Sequence, residues 1–166
     1  MIARRAQEIN PFIVMDVLER AHALESDGIN IIHLEVGEPD FETPANVSEA
    51  LCRAVNDGHT HYTHSLGVLE LREAISEYYL EKYGVQVDPD QIVITTGAVN
   101  GLMLAVLVLS DPTDTVLIPD PAWPNYEMMT SVVGTRLARY PLLRDGGYEP
   151  DLEALEARCR ATPDAK

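Results

Sequence analysis

Positive charge is scarce in this 166-residue chain: 12 lysines and arginines stand against 27 acids, a formal net charge of -15. The acids are spread along the chain rather than gathered in a tail. Such a surface repels phosphate backbones and anionic membranes, so nucleic-acid binding is not expected. Long apolar runs are missing too. The longest, residues 102–109, has eight residues, against the ~20 that a membrane helix needs. The N-terminus, Met1-Ile2-Ala3-Arg4-Arg5, runs into Gln7-Glu8-Ile9-Asn10 without the apolar core of a signal peptide. Cysteine is limited to Cys52 and Cys159, which fit no metal or redox spacing and read as reduced thiols of a cytoplasmic protein. What is present, 46% hydrophobic and 23% charged residues, is ordinary globular composition. A chain of this length is expected to bury about 70% of its unfolded surface.

Apolar periodicity and glycine stops divide the chain. Pro11 suits a first helical turn, and Val14, Val17, Leu18, Ala21 and Leu24 share one face, which predicts a helix over 11–27 before Gly28. A strand over 29–36 should end in the turn Gly37-Glu38-Pro39-Asp40. Helix 46–57 stops at Gly58, a polar loop carries His59, His61 and His64, and helix 68–83 ends at Gly84. The order then predicted is strand 91–95, helix 98–110, strand 115–118, a helix near 125–133, strand 136–140 and helix 151–160. Helices alternating with short β-branched strands imply an α/β fold whose sheet is mainly parallel and covered on both sides. Residues 161–166 read as a loop of the kind that leads into another strand.

The junction Ile92-Val93-Ile94-Thr95-Thr96-Gly97-Ala98-Val99 carries the clearest chemical signal. Amides at a helix start have no intrahelical acceptors, and the helix dipole places partial positive charge there, so the turn can hold a phosphate. Gly97 lets the backbone turn sharply and approach a ligand, although a tight βα turn without a ligand uses glycine in the same way. Trp123 is the only tryptophan. It serves either as a core anchor or, following a strand end in a proline-rich loop, as part of a ligand site of an open α/β sheet. From the residues alone, Tyr62 reads as a surface-loop residue and Gly37 as a turn glycine. His59, His61 and His64 could place two imidazoles on one side of a strand, as a metal hydrolase would need. No second ligand cluster follows them, and a solvated loop accounts for them better.

Four motifs occur together: Leu34-Glu35-Val36-Gly37-Glu38-Pro39-Asp40-Phe41; Tyr62-Thr63 with Gly67 and Leu71-Arg72; Thr96-Gly97-Ala98; and Asp120-Pro121-Ala122-Trp123-Pro124-Asn125-Tyr126. In this order and spacing the chain resembles the N-terminal portion of a class I/II pyridoxal-phosphate-dependent aminotransferase, from about Asn10 to its end. The resemblance implies an incomplete three-layer sandwich of the fold type I major domain. Residues 1–45 would form an N-terminal arm and substrate-loop segment, and 46–166 the first part of the cofactor-binding domain. It also implies that Gly97, Ala98 and Val99 offer amides to the phosphate of pyridoxal 5'-phosphate and that Trp123 lies on its ring. Tyr62 would reach the phosphate in the neighbouring subunit of a homodimer, and Gly37 would meet the substrate carboxylate. Family members often carry glycine and lysine where Ala98 and Val99 stand. Backbone donation survives that change, whereas a lysine side-chain contact does not.

The reaction so implied moves an amino group from an amino acid to a 2-oxo acid, and it needs a lysine bonded covalently to the cofactor. The chain has two lysines, Lys82 on an amphipathic helix and Lys166 at the end, and neither lies in the family's context for that residue. The Asn-Pro stretch, the carboxylate partner of the pyridinium and the substrate-clamping arginine have no counterparts either. No residue is therefore assigned as catalytic, and the 166 residues alone are expected to be inactive. A related pyridoxal-phosphate lyase or synthase, and a non-catalytic dimerisation or binding module, remain as alternative readings.

Overall fold

The computed structural model describes residues 2–3, 6–7, 9 and 12–166. The expectations that rest on Asn10 and Pro11 lie outside them. By its internal contacts the chain forms two units, residues 1–35 with 97–166, and residues 36–96.

In the first unit, α1 is Ile13–Ser26, α4 is Ala98–Leu109, α5 is Pro124–Val133 and α6 is Leu152–Ala161. The strands are β1 (Thr115–Asp120), β2 (Arg136–Leu143) and the short β3 (Glu149–Pro150). β1 and β2 pair in parallel, Thr115 opposite Arg136 and Asp120 opposite Pro141, with α5 as the crossover. β2 turns back on β3 through an antiparallel pair, Leu142 opposite Pro150. On the other side of β1, the Leu117 N–H donates to Lys166 O at 3.2 Å and the Lys166 N–H to Thr115 O at 2.9 Å. Residues 164–166, expected as loop, thus already lie on β1 as a parallel neighbour, through the Thr115–Ala165 bridge. β1 has partners on both edges, and Thr115 and Ile118 on it are among the buried residues. α5 and α6 pack on β2, and α4 packs on α5. This is the mainly parallel α/β class that the alternation predicts.

The second unit holds α2 (Ala45–Asn56), α3 (Leu69–Tyr83) and a 3-10 turn at Pro89–Gln91. Arg72 ties α3 to that turn. Its guanidinium donates to Pro89 O at 2.8 Å and pairs with Asp90 Oδ1 at 3.0 Å, and Ser76 Oγ donates to Val87 O. Gly84, with φ 67°, ends α3 in the left-handed region.

Two predicted strands are corrected. Residues 92–95 run outside any sheet, and Gln91 belongs to the 3-10 turn. The Ile94 N–H bonds to Leu66 O at 2.9 Å. A β-branched run becomes a strand only beside another strand, and the described residues of its unit contain none. Residues 29–36 likewise pair with no strand among the described residues. The expected core is also thinner than the composition implies. Among the described residues the buried apolar side chains are Ala21, Ile118 and Met129, while Val108 and Leu109 on α4 are 81% and 67% exposed. Apart from Asn100, α4 is apolar, and the described residues cover only part of it.

Candidate functional site

The start of α4 is built around Gly97, which sits at φ 84° and ψ 165°. That region is essentially restricted to glycine. A β-carbon placed there would meet nothing within 4 Å, so the space beside the turn is open to a ligand. Ala98 and Val99 follow in the first helical turn, both exposed, and that turn holds no acidic residue. Helix geometry leaves first-turn amides without intrahelical acceptors and makes this end partly positive. The local electrostatics therefore suit an anion.

Trp123 caps the N-terminus of α5, one residue before Pro124 at its first position. The Asp120–Pro121 bond that leads from β1 toward it is cis. The indole is 38% exposed and meets the Tyr126 ring edge-on, centroids 5.6 Å apart at 88°. Part of the indole thus stays accessible for stacking. Beside it, the buried Oδ1 of Asn125 has no hydrogen-bond partner in the structure, an acceptor that a bound donor would satisfy. Asn125 belongs to the motif that runs from Asp120 to Tyr126. An asparagine at the second position of a helix carries no local sign that its carbonyl oxygen is buried. In the same unit, an apolar groove of about 330 Å³ runs between the helices and the sheet, lined by Leu102, Val106, Ile118, Tyr126, Met129 and Tyr140. Taken one by one, the open glycine turn suits a phosphate, the indole a flat ring and the orphaned acceptor a hydrogen-bond donor.

Gly37 and Tyr62 belong to the other unit. The φ of Gly37 lies outside the left-handed region and a β-carbon there would meet nothing within 4 Å. Close approach, rather than backbone conformation, is what glycine offers at that position. The Tyr62 side chain is fully exposed, beside Thr60 and His61 in a shallow depression. Of the neighbouring histidines, His64 accepts the Leu66 N–H on its Nδ1 at 3.2 Å. Among the described residues, no three His, Cys, Asp or Glu side chains gather as a metal-ligand group.

Both lysines have partners. Lys82 Nζ donates to the Tyr78 hydroxyl and lies over the Tyr78 and Tyr83 rings, 5.0 and 5.4 Å from their centroids. Lys166 Nζ stands 3.9 Å from Asp114 Oδ2. No helix among the described residues is long and apolar enough to cross a membrane.

Comparison with known proteins adds a family. The family model described as aminotransferase class I and II matches residues 29–166. The chain is 41% identical over 161 residues to a (5-formylfuran-3-yl)methyl phosphate transaminase of Methanocaldococcus jannaschii, covering 97% of this chain and 42% of that protein. It is 40% identical over 150 residues to an aspartate aminotransferase of Pyrococcus horikoshii, covering 90% of this chain and 37% of that one. Among solved structures, an aspartate aminotransferase from Thermus thermophilus with maleate matches with a TM-score of 0.92 at 34% identity, covering 100% of this chain and 43% of the other. The chain thus spans about two fifths of the length of the relatives it matches.

Proposed function

The chain belongs to the aminotransferase class I and II family, and from that membership we propose that it supplies the phosphate-holding and ring-covering part of a pyridoxal-phosphate-dependent aminotransferase. The whole protein would transfer an amino group from an amino acid to a 2-oxo acid, as a homodimer in the cytoplasm. Residues 1–45 would serve as arm and substrate loop, and 46–166 as the first part of the cofactor-binding domain.

The observation that carries the reading is the start of α4, where Gly97 holds a conformation no other residue readily adopts beside open space. The cofactor supplies an electron-accepting ring that eases breaking of the amino acid's Cα–H bond. This chain's residues would bind and orient it. Gly97, Ala98 and Val99 would donate amides to its phosphate, and Trp123 would cover one face of the ring. The Asn125 Oδ1 would accept a hydrogen bond from a bound donor. Tyr62 would extend its hydroxyl to the phosphate site of a second subunit, and Gly37 would offer its N–H to the substrate carboxylate. The proton-moving lysine has no counterpart among these residues, since neither Lys82 nor Lys166 lies in the family's context for it.

Tryptophan fluorescence tests the reading, because Trp123 is the only tryptophan. Pyridoxal phosphate is expected to quench it with weak, non-covalent affinity, and Trp123→Phe to weaken binding measured by equilibrium dialysis. Unchanged emission at saturating cofactor, together with an unaltered affinity in Trp123→Phe, would overturn it.

A further inference from the structure

His33 stands between two carboxylates. Its Nε2 lies 3.0 Å from Glu25 Oε1, in the last turn of α1, and its Nδ1 lies 2.5 Å from Glu35 Oε1, two residues along. The His22 ring, also from α1, faces it with centroids 5.8 Å apart. Among the described residues, Glu25, Glu35 and His22 are the titratable groups that face this imidazole. The second oxygen of Glu35 accepts the Leu34 N–H at 2.8 Å, so that carboxylate is fixed to the backbone of its own segment.

A neutral imidazole has one N–H donor and one lone pair, whereas the imidazolium has two donors. With carboxylate oxygens against both nitrogens, the neutral ring would point its lone pair at an anion. Only the protonated ring satisfies both contacts. Among the described residues, the segment's other contacts to α1 lie toward its start. The Ile29 N–H bonds to Leu24 O at 3.1 Å at its start, and Ile31 joins Val17, Ala21 and Leu24 of α1 in lining a shared apolar groove. Further along, Ile32 and Leu34 are 82% and 90% exposed and add almost no burial.

We propose that His33 is a protonation-operated latch that fastens residues 29–35 to the C-terminal turn of α1 and releases them when the imidazole loses its proton. The hydrogen bonds to Glu25 and then Glu35 raise the pKa of His33 above its ordinary 6.5. The same contact, seen from the acid, lowers Glu35 below its ordinary 4.5, chiefly through the bond to His33. The sign follows from linkage. A raised histidine stabilises fully below pH 6.5 and loses that effect as pH rises through its folded-state value. A lowered glutamate stabilises above pH 4.5 and loses that effect as pH falls through its own folded-state value. The latch is fully closed between those two ordinary values and opens on either side. It works without any cofactor.

The test is imidazole ¹⁵N NMR of His33 in the full chain, with hydrogen exchange at the Leu34 amide. The expected midpoint lies above 6.5, with both ring nitrogens protonated in the closed state. Leu34 protection, corrected for intrinsic exchange, should fall as pH rises above 6.5 through the His33 midpoint. Glu25→Gln should move both transitions together to lower pH, and His33→Gln should remove the step in protection. A midpoint at or below 6.5 overturns the proposal. So does Leu34 protection that stays constant through the titration of His33, or a Glu25→Gln chain whose midpoint does not move.

Discussion

A β-carbon on Gly67 would stand 2.4 Å from Ile94 Cγ1 and 2.7 Å from Ile94 Cβ. The neighbouring hydrogen bond, Ile94 N–H to Leu66 O at 2.9 Å, draws the two backbones together, and Gly67 itself sits at φ 100°. Both the space and the conformation exclude a side chain. Gly67→Ala is expected to cost about 2–4 kcal/mol, combining left-handed strain with overpacking, as read by urea denaturation. Adding Ile94→Ala should recover only part, because the β-carbon of residue 94 remains in the way.

Arg72 and Asp90 form an ion pair whose halves differ in worth. The Arg72 side chain is 6% exposed and that of Asp90 84%. Arg72→Met would leave the Pro89 carbonyl without its guanidinium donor and is expected to cost about 2–3 kcal/mol. Asp90→Asn removes only a solvated charge and should cost less than about 1 kcal/mol. Paired denaturation curves of the two variants check this. Equal losses would show that the ion pair, rather than the bond to Pro89, holds α3 to the turn.

Gly97→Ala separates conformation from crowding. The added methyl meets nothing within 4 Å, so the whole cost comes from backbone angles that alanine disfavours, about 1–3 kcal/mol. If the backbone relaxes to escape that strain, the first-turn amides of α4 re-aim. Affinity for pyridoxal phosphate should then fall by about tenfold or more, which corresponds to about 1.4 kcal/mol. Equilibrium dialysis against the unchanged chain measures it. Undiminished affinity would remove Gly97 from the phosphate site.

The helices were legible because their ends are written locally. Gly84 and Gly134, at φ 67° and 88°, close α3 and α5, and Pro124 opens α5 at the position where a missing N–H costs nothing. β1 and β2 could be read from their β-branched and apolar residues, although each runs two or three residues further than periodicity indicated. Strand formation at 91–95 could not be decided in that way. Ile92, Val93 and Ile94 have the composition of a strand, but a ladder belongs to two segments and depends on a partner elsewhere. Glu149–Pro150 and Ala165 are the converse, paired residues with no alternation to announce them. In the candidate site, Gly97 and Trp123 stood out by residue type and position. The unsatisfied oxygen of Asn125 and the burial of Arg72 depend on packing that local sequence does not encode.

The partners of β1 both arrive late along the chain. Thr115 meets Arg136 only after α5 has been traversed, and Ala165 only after β2 and α6 have followed. Parallel neighbours cannot be closed by a two-residue turn, so each bond of the central ladder waits for a long loop to close. Such non-local contacts incur their entropy cost before they return any stabilisation, and they slow folding. Among the described residues, only the β2–β3 hairpin pairs strand segments that are close in sequence. The rate at which this chain acquires its sheet is therefore governed by conformational search over long separations, and tighter helix ends or a stronger Arg72 contact would do little to shorten it.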